Sequence, residues 1–202
     1  MQYKAIGFDY GGVIHGMPGP LFNQKVADLL ELPVNVVMKE YFARNHQANV
    51  GKVTYNEVWK EVFSVLKRPE AFGAFFKFQT DWEAKKVLNT EFLDLSDQLR
   101  KAGYKTGILS NASAEMAEYV RKEKIDTHFD VYLPSCEIGC MKPDRRAYTA
   151  LVEALQIEMS SLIFIDDTPR SLESADELGY TPVLFENYPN LILKLRELNL
   201  SF

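Results

Sequence analysis

Short apolar runs alternate with stretches of helical periodicity along most of this chain. Residues 3–8, 106–109, 131–133, 162–165 and 182–185 read as strands. Between them the apolar positions fall three and four apart. Phe92, Leu95 and Leu99 precede Gly103, a natural helix stop; Met116, Tyr119 and Val120 mark a second helix, and Tyr148, Leu151, Val152 and Leu155 a third. A further helix is predicted to start with Thr168 as its cap and Pro169 in its first position, and to end near Gly179. Strands alternating with helices imply a parallel sheet covered on both faces, so the expected class is α/β with a Rossmann-like core.

The pattern changes between Val13 and about Val87, where helical periodicity continues without a convincing strand. Phe22, Val26, Leu29 and Leu30 form one group, Val36, Val37 and Tyr41 another, and Val58, Trp59, Val62, Phe63 and Leu66 a third. Residues 15–86 therefore read as an inserted all-helical subdomain, with residues 1–14 and 87–202 forming the core. Sitting directly after the first strand, the insert is expected to stand over the carboxyl edge of the sheet, where open α/β folds bind their ligands. The aromatic run from Phe72 to Phe78 is read as the insert's own small core.

Composition narrows the function classes. A chain of 202 residues can bury a core without metal or disulfide staples. Its net charge of -5, a pI near 5.3 and the lack of any basic run argue against a nucleic-acid partner. No apolar stretch has the length a bilayer demands, and no basic leader precedes an apolar segment, so a soluble cytoplasmic protein without a membrane partner is expected. Cys136 and Cys140, separated by three residues and without His or Cys companions at zinc spacing, read as free thiols.

Candidate chemistry gathers at strand ends. Asp9 closes the first apolar strand and is followed by Tyr10 and the Gly11-Gly12 turn, an arrangement that holds a carboxylate rigidly at a sheet edge. Ser110 and Asn111 follow the second strand, Lys142 lies beside Pro143 in a later loop, and Asp166-Asp167 follow the fourth strand. In a parallel sheet these ends share one edge, so residues distant in sequence converge on one crevice. Taken singly, Ser110 is equally a helix cap and Lys142 a solvated lysine. The adjacent acids are different, because two carboxylates repel unless a cation or donor neutralises them. Mg²⁺ is the natural partner, since it takes one or two carboxylates and leaves positions for water and a phosphate.

These segments together resemble the haloacid dehalogenase-like hydrolase superfamily. FDYGGVI matches its first motif, ILSN its second, GCMKPD its third and FIDDTPRSLESADELG its fourth, in the right order and over nearly the whole chain. GKVTYNEVW, residues 51–59, is similar to a stretch frequent in the helical cap that this superfamily inserts after its first motif. The resemblance implies a Mg²⁺-dependent phosphatase acting on a small phosphorylated metabolite through an aspartyl-phosphate. Asp9 would be the nucleophile, Ser110 and Asn111 would hold phosphate oxygens, and Lys142 would neutralise charge shared by Asp9 and the transferring group. Asp9, the Gly11 carbonyl, Asp166 and Asp167 would hold the metal.

The chain departs from that pattern in two places. Most phosphatases of the superfamily carry a second aspartate two residues after the nucleophile, as general acid and base; here that position is Gly11. A placed acid or base is worth roughly 10² to 10⁴ in rate, so weakened turnover or a preference for good leaving groups is expected, with His15 the nearest titratable substitute. Four residues after Asp167 the family often has Asp or Asn, where this chain has Ser171. Two rival readings are a metal-independent 2-haloacid dehalogenase, which has no use for the late acidic pair, and a non-catalytic binder of a phosphorylated ligand, which has no use for a nucleophile. Arg44, Lys52 and Lys60 of the insert are candidate substrate anchors, and either a monomer or a homodimer is compatible with a cap this rich in Phe.

Overall fold

The computed structural model describes residues 2–16, 19–83 and 88–202. Five parallel strands, β1 (Ala5–Phe8), β2 (Lys105–Ser110), β3 (Val131–Pro134), β4 (Leu162–Asp166) and β5 (Thr181–Leu184), form one sheet in the order β3-β2-β1-β4-β5. The central strand β1 aligns Phe8 with Ile108 of β2 on one side and with Ile165 of β4 on the other. The chain builds outward from β1 through β2 and β3, then crosses to β4, which makes the β1/β4 boundary the switch point of the sheet. At such a boundary the flanking connections leave in opposite directions and open a crevice at the carboxyl edge.

Helices cover both faces because the strands alternate two sets of apolar side chains. Ile6, Phe8, Ile108, Ile163 and Ile165 pack with Leu95 and Leu99 of one helix, Val120 of a second and Leu191 and Leu195 of a third. Ala5, Leu109, Leu162 and Phe164 on the opposite face pack with Ala147, Tyr148, Leu151 and Leu155.

The cap between β1 and the rest of the core consists, among the described residues, of α1 (Gly19–Leu30), α2 (Val34–Phe42), α3 (Asn45–Asn49), α4 (Tyr55–Val65) and α5 (Phe72–Glu83). It has its own core around Val26, Val37, Trp59, Val62, Phe63 and Phe75. Helix α4 starts on a capping box: the Glu57 N–H donates to the Thr54 hydroxyl and the Thr54 N–H to the Glu57 carboxylate. The aromatic run divides by helical period, with Phe72, Phe75 and Phe78 turned to the cap core and Phe76 half exposed. The two chain crossings run side by side: His15 pairs with Leu88 across an antiparallel bridge, and Asn89 donates to the carbonyls of Ile14 and Val13. The expected return boundary at 86/87 lies outside the described residues.

The rest of the core adds α6 (Thr90–Lys101), α7 (Ala114–Lys122), α8 (Ser135–Ile138), α9 (Arg145–Leu155), α10 (Ala175–Leu178) and α11 (Tyr188–Glu197). The single helix expected over 168–179 is instead a 3-10 turn over Pro169–Leu172 followed by the short α10. The reason lies across the interface. The Tyr148 hydroxyl donates to the Ser171 carbonyl, and Tyr180 approaches the same oxygen, which takes that carbonyl out of a helical ladder. Among the described residues no helix is long and apolar enough to cross a membrane, and both cysteines are free.

Candidate active site

Three carboxylates meet at the switch point. The Asp9 N–H still bonds the Ile165 carbonyl, at 2.8 Å, so the β1/β4 ladder itself fixes where the Asp9 side chain begins. Asp166 is the last residue of β4 and Asp167 the next. One carboxylate oxygen from each of Asp9, Asp166 and Asp167 lies within 4.8 Å of the others. Lys142, from the turn between α8 and α9, reaches into the same place: its Nζ is 2.8 Å from Asp9 Oδ1 and 2.5 Å from Asp166 Oδ2. The lysine and Asp166 side chains are essentially sealed from solvent, whereas Asp9 keeps 13% of its side chain exposed.

The remaining donors are local. Asp9 Oδ1 also accepts the Tyr10 N–H at 2.7 Å, Asp166 Oδ1 accepts the Thr168 N–H at 2.9 Å, and the Thr168 hydroxyl donates to Asp167 Oδ1 at 3.3 Å. Gly12 completes the floor. Its φ of +83° lies in the left-handed region, and a Cβ there would fall 2.2 Å from Asp167 Oδ2, so the site needs glycine for backbone conformation and for space at once.

Electrostatics follow from burial. Desolvation pushes the Asp9 carboxyl up to about 6, against the pull of Lys142, and Asp166 adds to the rise. Burial and then Asp166 likewise raise Asp167. Burial on its own would lower Lys142, but the charges of Asp9 and Asp166 outweigh it and hold the ammonium above its ordinary value. Three carboxyl groups share one ammonium in a partly buried crevice, so the site has more acid than base. An all-oxygen, acidic donor set suits a hard divalent cation.

Ser110 ends β2 and is buried at the same edge. Asn111, the next residue, turns its side chain onto the backbone of Lys142. Gly11 occupies the turn after Asp9 and forms a bridge with His15, whose carbonyl accepts the Gly12 N–H at 2.8 Å. The His15 ring is buried, stacked on Tyr10 at 5.3 Å between centroids and meeting Tyr119 edge-on. Arg44 is engaged by Glu40 and Glu61 within the cap, Lys60 lies over the Phe72 ring, and Lys52 is exposed.

One contributor had no sequence signal. Ser135, fully buried at the start of α8, donates to the Asn49 carbonyl of the cap and accepts the Ala112 N–H beside the β2 loop. Nothing in LPSCEIG distinguishes that serine from an ordinary turn residue. Gly12, by contrast, was visible as half of a Gly-Gly pair after an acid.

A parallel sheet whose switch point carries an acid after its first strand, an acidic pair after its fourth and a lysine between them is the arrangement of a known class of hydrolases. Residues 3–179 match the haloacid dehalogenase-like hydrolase family, and the chain belongs to it. Phosphatase MT3486 of Mycobacterium tuberculosis is 37% identical over 192 residues, covering 92% of this chain and 88% of that protein. Bifunctional epoxide hydrolase 2 of Sus scrofa is 27% identical over 217 residues, covering 98% of this chain but 39% of that protein. The chain thus spans about two fifths of the length of the epoxide hydrolases it matches. Among solved structures, a HAD-family enzyme of Bacteroides thetaiotaomicron in magnesium complex superposes with a TM-score of 0.75 at 21% identity, covering 95% of this chain and 99% of that one.

Proposed function

We propose that this protein is a Mg²⁺-dependent phosphatase that hydrolyses a small phosphorylated metabolite through an aspartyl-phosphate on Asp9. The observation that carries the reading is the convergence of Asp9, Asp166 and Asp167 within 4.8 Å, with Lys142 bonded to the first two. The 37%-identical relative named a phosphatase supports the same class of reaction. Asp9, Asp166, Asp167 and the Gly11 carbonyl would hold Mg²⁺, which when bound supplies positive charge to a phosphoryl group.

The protein's own groups divide the work. Asp9 Oδ1 is engaged by the Tyr10 N–H and by Lys142, so Oδ2 is the oxygen left to attack phosphorus. Attack forms the Oδ2–P bond as the bond to the ester oxygen breaks, and water then cleaves the acyl-phosphate to release inorganic phosphate. The Lys142 ammonium offsets the repulsion between a carboxylate and a phosphate dianion, and Ser110 donates to a phosphoryl oxygen. With glycine at position 11, the residue two after Asp9 cannot protonate the departing oxygen. The substrates favoured are therefore those with good leaving groups, such as acyl, aryl or anomeric phosphates. The acidic cluster favours this reading over halide displacement at carbon, which has no need of a divalent cation.

A panel of phosphate esters graded by leaving-group pKa tests this. Turnover should require Mg²⁺, disappear in Asp9→Asn and fall steeply as the leaving group becomes more basic. Turnover that persists in chelator or in Asp9→Asn would overturn the reading.

A further inference from the structure

We propose that Asn111 is a positioning residue for Lys142, and that its side chain is not a ligand of the transferred group. The catalytic consequence rests on the phosphatase reading above; the contact itself rests on geometry alone. Asn111 follows the last residue of β2, and Lys142 lies 31 residues further on. The two are joined by a closed pair of hydrogen bonds: the Lys142 N–H donates to Asn111 Oδ1 at 2.7 Å, and Asn111 Nδ2 donates to the Lys142 carbonyl at 2.9 Å. The carboxamide oxygen and one N–H of Nδ2 thereby bond one residue's backbone.

The arrangement matches a physical need. Lysine is a point charge on a flexible four-carbon stem, yet here its Nζ must meet two carboxylate oxygens, at 2.8 and 2.5 Å. The stem can be aimed only if its root is fixed, and Lys142 sits in a turn rather than in a strand or helix. Asn111 ties that root to the end of β2, in the same sheet that carries Asp9 and Asp166. A carboxamide places a donor and an acceptor side by side, which neither a hydroxyl nor a carboxylate at this position does. The loop after β2 is itself tied down, since the Ala112 N–H donates to Ser135. Donation to the phosphoryl oxygens then falls to Ser110, whereas Asn111 acts through the lysine.

The test compares wild type with Asn111→Ala, and with Asn111→Ser should the alanine variant fold poorly, using three readouts. Amide hydrogen exchange at Lys142 should accelerate at least about 10-fold while Ile108 and Leu109 of β2 keep their protection. Affinity for inorganic phosphate in the presence of Mg²⁺, measured by calorimetry, should be within about 3-fold in Asn111→Ala/Lys142→Ala of that in Lys142→Ala, because the asparagine acts on the anion only through the lysine. On an aryl phosphate kcat should fall by about 10- to 100-fold with KM nearly unchanged. Unchanged exchange at Lys142, a further 10-fold or greater loss of phosphate affinity when Asn111→Ala is added to Lys142→Ala, or a raised KM at constant kcat would each overturn the assignment. A wild-type protein that neither turns over esters nor binds phosphate would defeat the phosphatase reading instead, and the exchange measurement would still decide whether Asn111 holds Lys142.

Discussion

Gly12 and Asp9 illustrate how much of the site is settled by single residues. In Gly12→Ala a methyl group would have to share the space of the Asp167 carboxylate, 2.2 Å away, on a backbone at φ +83°. The expected outcome is a loss of about 1–3 kcal/mol in stability and a larger proportional loss of Mg²⁺ affinity, read by denaturation and by calorimetry. Affinity equal to wild type would show that Asp167 is not a ligand. Asp9 makes a prediction about pH. Its carboxyl stands at about 6 in the fold against an ordinary 3.8, so the native state binds more protons than the unfolded chain between those values. Stability contributed by this group is therefore lost as pH rises through that window. In metal-free protein the stability of Asp9→Asn relative to wild type should increase by about 1–3 kcal/mol between about pH 4 and 6 and level off above. A flat difference would refute the desolvation of Asp9.

At the scale of elements, the strands and most helices were legible because their apolar period is local, and strand ends could be ranked for chemistry because parallel topology sends them to one edge. The exceptions are those where a partner from elsewhere intervenes. The expected helix over 168–179 breaks because Tyr148, in another helix, takes the Ser171 carbonyl, and no local pattern announces that hydrogen bond. The attachment of cap to core is of the same kind. Ser135 links the Asn49 carbonyl to the Ala112 N–H, the Tyr55 N–H donates to Glu115 of α7, and a Cβ on Gly51 would lie 2.3 Å from the Cys136 carbonyl. The cap loop between α3 and α4 thus rests directly on α8. Ser135→Ala should lower stability by about 1–3 kcal/mol by leaving two backbone groups without their buried partner. Hydrogen exchange should quicken over residues 49–55 but not in the cap core around Trp59. Equal protection at 49–55 in variant and wild type would count against the latch.

For the whole molecule, the arrangement gathers acidic groups at the switch point and rests a cap with its own core on α7 and α8. Ligand binding to such a site should be visible as global stability, because only the folded chain brings Asp9, Asp166 and Asp167 together. Mg²⁺ at about 100 times its Kd should add about 2.7 kcal/mol, which for a chain of this length is about 5–10 °C in Tm. Asp167→Asn should lose most of that shift. An undiminished shift in the variant would place the cation elsewhere.

The sequence by itself determined the α/β class, the helical character of the insert, and Asp9, Lys142, Asp166 and Asp167 as candidates, since periodicity, chain order and acids at strand ends are properties of local segments. Only the tertiary structure decided that Lys142 bonds Asp9 and Asp166 together, that Asn111 spends its side chain on the Lys142 backbone, and that Ser135 joins cap to core. Those are contacts between residues 24 to 133 positions apart. Their geometry depends on how separate elements pack, and no single stretch of chain encodes that packing.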